Sequence, residues 1–170
     1  DYYCDWSSDV CSSDLLRILN FKFGESSNSI LFRELREERG LSYDVYTHLD
    51  TSNNVKTLYI YTSVSEKNVD EAIHVIDTVI QDILTEKIVF DDNTISLMKK
   101  IMKTAIASTL EDSTDLSNYV LHQAMDNEDI YQFTDDMKNM GNVKSEDLYN
   151  VSRKVLQKPT IHIFLPEKRG

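Results

Sequence analysis

Residues 26–46 read SSNSILFRELREERGLSYDVY. Ser26 and Ser27 offer N-cap hydroxyls to a helix whose apolar stripe is Leu31, Phe32 and Leu35. Gly40 falls where that helix should stop, because glycine takes a positive φ at little cost. Beyond it, Leu41, Tyr43, Val45, Thr47 and Leu49 alternate with Ser42, Asp44, Tyr46, His48 and Asp50, the period of a half-buried strand. A helix therefore breaks at Gly40 directly into a strand, with Arg36 before the break and Tyr43 just after it. A guanidinium and a phenol can meet there at one edge of a sheet.

Upstream, Leu16–Phe23 reads as the end of a helix with Leu16, Leu19 and Phe23 on one face, stopped by Gly24. Downstream, Thr51–Asn54 is a hairpin turn and Val55–Val64 its antiparallel return strand, rich in Tyr, Ile, Thr and Val. Ser65 then starts a one-sided amphipathic helix carrying Val69, Ala72, Ile73, Ile76, Val79, Ile80, Ile83 and Leu84. Another begins near Asp92 and ends at Leu110–Ser113. A third carries Leu116, Tyr119, Val120 and Ala124, and a short one spans Thr134–Met140. A final helix with Leu148, Val151, Val155 and Leu156 starts near Ser145 and stops before Pro159. The alternating run Thr160–Leu165 is expected to be a last strand that rejoins the sheet. Strands and helices segregate, so the fold class is α+β: a mainly antiparallel sheet with several helices packed on one face.

The chain has 170 residues, enough for one domain, and 41% are hydrophobic, enough for a real core. A net charge of −11 argues against nucleic acid and anionic membrane as partners. There is no apolar run of transmembrane length and no secretory signal. Residues 1–15, DYYCDWSSDVCSSDL, lack any apolar period, and residues 4–15 resemble the read-through translation of a sequencing-library adapter. They are set aside as a non-native or disordered tail, leaving residues 16–170 as the domain and implying that the native protein begins upstream. Both cysteines, Cys4 and Cys11, fall in the tail. The rest has no disulfide framework, which points to a reducing, cytoplasmic setting. Removing Asp1, Asp5, Asp9 and Asp14 from the 29 acidic residues leaves 25 against 18 basic ones, so the domain remains acidic.

A helical zinc motif needs two imidazoles on one face beside a carboxylate. The four histidines, His48, His74, His122 and His162, stand far apart on separate elements. No metal ligand set is therefore expected in this chain. Nor is there a G-x-S-x-G nucleophile turn or a phosphate-binding glycine loop. Asp91–Asp92 and Asp135–Asp136 suit helix starts, where carboxylates favour the positive end of the dipole.

Arg36 and Tyr43 remain, and spacing alone leaves two readings. Arg36 can pair with a glutamate of its own REERG run while Tyr43 fills the core, or the two can converge on a ligand. The order of a Gly24 and serine loop, Leu31-Phe32 ahead of Leu35-Arg36-Glu37, then Gly40-Leu41 and Tyr43, resembles the second module of the pitrilysin/insulinase (M16) metallopeptidase family. The resemblance is specific over 24–61 and follows element order from Leu16 to the C-terminus. It implies a LuxS-like metallohydrolase-type module, truncated at its N-terminus, from a bacterial peptidase. It implies that Arg36 and Tyr43 reach towards a zinc site on another module and hydrogen-bond the substrate near its scissile carbonyl, with Tyr46 a secondary substrate contact. Arg36 is selected over Arg39 because the family's arginine stands seven residues before its tyrosine. The implied cofactor is zinc in that other module, none being bound here. The implied partners are a peptide substrate and another M16 module, on the same chain or a second subunit, closing as a clamshell. The chain alone is expected to be inactive. A catalytically silent scaffold or peptide-holding subunit of such a complex is the alternative.

Overall fold

A computed structural model of the chain describes residues 13–50, 57–125, 127 and 129–165. Helix α1 (Ser13–Asn20) runs on into a π-helical turn, Phe21–Glu25, and α2 (Ile30–Phe32) into another, Arg33–Glu37. Strand β1 (Ser42–Asp50) then pairs antiparallel with β2 (Thr57–Val64). Helices α3 (Val69–Leu84), α4 (Asp92–Glu111), α5 (Ser113–Met125), α6 (Gln132–Asn139) and α7 (Ser145–Val155) follow. The α+β class expected from the sequence is the one observed. The expected turn Thr51–Asn54 and the first two residues of the return strand lie outside the described residues.

One face of the hairpin meets the helices. Val45 and Thr47 are buried, and Leu49, Leu58 and Ile60 are partly buried against the core. Across from them α1 and its π turn contribute Leu16, Ile18, Leu19 and Phe23, and α2 contributes Ile30, Leu31 and Leu35. Helix α7 packs on both α1 and α3, placing Leu148 and Val151 in the same core. Leu15 is buried there too. Each of these side chains removes apolar surface from water, roughly 1.5–3 kcal/mol for a fully buried Leu or Phe.

Local chemistry departs from the sequence reading in three places. The cap of α2 is Ser29, whose Oγ accepts from the Phe32 N–H at 3.3 Å, rather than Ser26 or Ser27. Ser26 instead closes the preceding π turn, its N–H donating to the Phe21 carbonyl. Gly24 does not stop α1, since the π turn continues through it to Glu25. Its role is close approach: a Cβ at Gly24 would stand 2.2 Å from Thr47 Cγ2. Finally, Thr160–Leu165 forms no strand, and Ile161, Ile163, Phe164 and Leu165 are exposed. Alternation gives a segment β character, but only a neighbouring strand supplies its hydrogen bonds, and no described strand lies beside this one.

Other expectations hold. Gly40 has φ +59°, and its N–H and that of Leu41 satisfy the Arg36 and Leu35 carbonyls at 3.1 and 2.8 Å. Asp91 caps α4, accepting from the Thr94 N–H at 2.7 Å. The loop between α3 and α4 is pinned to α7 by Tyr149, whose hydroxyl donates to the Ile88 carbonyl at 3.1 Å and accepts from the Phe90 N–H at 3.0 Å. Ser145 adds a hydrogen bond to the Phe90 carbonyl at 2.6 Å.

Candidate functional site

Strict alternation along β1 would send Tyr43 inward with Val45 and Thr47. It does not, because the ladder carries a bulge. Ser42 pairs with Val64 and Asp44 with Ser63, so two steps on β1 oppose one on β2 and Tyr43 is the extra residue. Tyr43 is 84% exposed. Behind it, the buried Ser42 hydroxyl lies 2.6 Å from the Asp44 carbonyl and 3.0 Å from that of Ser63, and it accepts from the Thr62 hydroxyl at 2.7 Å. These side-chain bonds occupy backbone acceptors that the irregular ladder leaves over.

Arg36 approaches from the other side of Gly40. It lies in the π turn after α2, where the Glu38 N–H reaches back to the Arg33 carbonyl. The guanidinium carbon sits 4.8 Å from the Phe32 ring centre and 5.0 Å from that of Tyr43. Phe32 precedes Arg36 by one helical turn, so their contact follows from spacing. Tyr43 completes it only because the bulge turns that ring outward. Both rings lie within cation–π range of the guanidinium.

The surrounding charges set Arg36 apart. Arg39 bonds the Glu34 carboxylate at 2.6 Å and its carbonyl at 2.9 Å, and Arg33 reaches Glu34 at 3.1 Å and Glu38 at 3.5 Å. Arg36 forms no ion pair with a carboxylate among the described residues. Burial pushes the Glu34 carboxyl upward, but hydrogen bonds and charge from Arg39 and Arg33 outweigh it and hold it below the usual carboxylate value. Glu34 and Glu38 thus serve Arg33 and Arg39 rather than Arg36.

The structure brings Arg36 and Tyr43 together and removes both the core role for Tyr43 and the local ion pair for Arg36. Tyr46 is also exposed and stacks on Tyr61 across the ladder, ring centres 4.9 Å apart at 31°. Phe32, Ser42 and Thr62 escaped sequence reasoning. Phe32 was assigned to the apolar stripe but is only partly buried. Its one-turn spacing to Arg36 was the available signal, whereas nothing in the local sequence marked the bulge. His48, His74, His122 and His162 are exposed on separate segments, and no group of three His, Cys, Asp or Glu able to hold a metal occurs among the described residues. No described helix is long and apolar enough to cross a membrane.

An antiparallel hairpin backed by helices on one face, with Arg36 and Tyr43 meeting beside the break into β1, defines an α+β module. The chain belongs to the peptidase M16 family, and the profile of its inactive domain matches residues 10–102. A Bacillus subtilis protein described as "Probable inactive metalloprotease YmfF" is 24% identical over 140 residues, covering 82% of this chain and 32% of that protein. A protease from Helicobacter pylori superposes with TM-score 0.72 at 20% identity, over 83% of this chain and 34% of that one. The peptidase M16 inactive domain from Pseudomonas fluorescens gives 0.71 at 17%, over 84% and 33%. These likenesses carry the fold, and the chain spans about a third of the length of each of these three relatives.

Proposed function

We propose that this chain is the substrate-binding, non-zinc module of an M16-type zinc peptidase that hydrolyses peptides. In this reading Arg36 and Tyr43 bind the oxygen of a substrate carbonyl near the scissile bond, and Tyr46 is a further substrate contact. The supporting observation is the pairing itself: a cation without a carboxylate partner among the described residues, within 5.0 Å of the ring centres of Phe32 and of Tyr43, which is turned out of its strand. A fixed guanidinium and a phenol O–H suit an oxygen that gains negative charge as the amide is attacked. In this reading the metal, which would activate the attacking water, belongs to another module. That module, on the same chain or a second subunit, closes over this one as a clamshell. An extended peptide adds along the sheet edge, so recognition is mainly of backbone. The absence of cysteine after Cys11 favours a cytoplasmic setting. The chain by itself is inactive.

A second reading, a catalytically silent scaffold or peptide-holding subunit, is favoured by the likeness to the Bacillus protein described as a probable inactive metalloprotease. Arg36→Ala and Tyr43→Phe, introduced into the complete assembly, separate the two. Turnover falls about 10²-fold or more if these groups stabilise the transition state, and stays unchanged if the module is silent.

A further inference from the structure

The outward face of the hairpin is unlike an ordinary solvated sheet face. The register sets Tyr46 opposite Tyr61 and His48 opposite Tyr59, all on the side away from the core. Tyr46, Tyr59 and Tyr61 are 45%, 52% and 47% exposed, while Val45 and Thr47 on the other side are buried. No lysine or arginine stands on this face among the described residues of the two strands. Contiguous exposed aromatic surface of this kind marks binding sites more often than bare surface. The Tyr46–Tyr61 stack also restrains two rings before any ligand arrives, which lowers the cost of ordering them.

We propose that Tyr46, Tyr59 and Tyr61, with His48 beside them, form a docking surface for an aromatic or large apolar side chain of an extended peptide. The inference rests on the reading of Arg36 and Tyr43 as substrate contacts, and it names the kind of peptide they act on. Tyr46 follows Tyr43 by three residues, about 10 Å along a strand. A peptide running alongside at the same rise presents to the tyrosine pair the side chain about three positions from the carbonyl held by Arg36 and Tyr43. Rings of this kind grip an apolar or aromatic group by packing and edge-to-face contact, and their hydroxyls remain free to meet the peptide backbone.

The test is binding to the 170-residue chain, read by fluorescence anisotropy, of a labelled Gly/Ser-rich peptide carrying one phenylalanine and of its serine counterpart. The phenylalanine peptide is expected to bind about three- to tenfold tighter. Tyr59→Ser with Tyr61→Ser should erase that preference, and Tyr59→Phe with Tyr61→Phe should keep it, circular dichroism confirming that both fold. Equal binding of the two peptides to the unmodified chain overturns the proposal. So does concentration-dependent dimerisation abolished by the serine variants, which would make a second copy the occupant. Failure of the Arg36 and Tyr43 reading appears elsewhere, as unchanged turnover of the assembly carrying Arg36→Ala, and leaves the phenylalanine preference intact.

Discussion

The Thr62 hydroxyl donates to the Ser42 oxygen at 2.7 Å, directly behind the bulge that turns Tyr43 out of β1. Ser42 is buried and its hydroxyl also lies in hydrogen-bond reach of the Asp44 and Ser63 carbonyls, so Ser42→Ala removes this part-buried cluster of bonds, leaving the Asp44 carbonyl only Thr62 at 3.2 Å. The expected loss is about 1–3 kcal/mol in denaturant unfolding. Thr62→Val, which removes the donor from a half-buried site, should cost less. If both variants match the parent, the bulge is held by other means.

Gly24 and Thr47 make a second pair that can be tested together. Gly24→Ala places a methyl against Thr47 Cγ2, an overpacking worth about 1–3 kcal/mol. Thr47→Ala removes the two closest atoms, Cγ2 and Oγ1, so the double variant should recover part of the loss. Strict additivity in the unfolding free energies would show that the contact does not limit the packing of α1 on β1.

Tyr149 predicts the behaviour of the loop between α3 and α4. Tyr149→Phe keeps the ring against Phe90, 5.2 Å between centres, but deletes the hydroxyl that serves Ile88 and Phe90. The expected cost is about 1–3 kcal/mol, with amide exchange at Phe90 accelerated. Unchanged exchange there would contradict the assignment.

How much of this could be read from the residues differs element by element. Gly40 and the alternation after it located the break between α2 and β1, because a positive φ and a period of two are local properties. Arg36 and Tyr43 were legible as neighbours across that break, while the role proposed for them came from resemblance alone. The outward turn of Tyr43 was not, since 41–50 alternates without a flaw and the bulge depends on how Ser42 and Asp44 pair with β2. Caps were half legible. Asp91 could be named, whereas Ser26 and Ser27 were read as the caps of α2 and packing selects the buried Ser29. Thr160–Leu165 illustrates the converse, a good local pattern with no described strand to pair with.

Glu34 links the region around Arg36 to pH. Its folded carboxyl is held below its ordinary value of 4.5, so its contribution is fully present above that value and is lost as pH falls through the lower, folded one. The arginines are 53% and 38% exposed, so the contribution is about 1 kcal/mol or less. Glu34→Gln should therefore be less stable than the parent near neutral pH, with the gap closing below about pH 4.5. A gap that widens on acidification would reverse the sign and remove the arginines as its cause.

The most direct measurement is kcat/KM for a labelled peptide in the assembly of this chain with the zinc-bearing module proposed as its partner, comparing the parent with Arg36→Ala and Tyr43→Phe. The account predicts a fall of about 10²-fold or more for each, with assembly and zinc content unchanged. Full turnover by both variants in an intact assembly would contradict it, and would leave the module a scaffold.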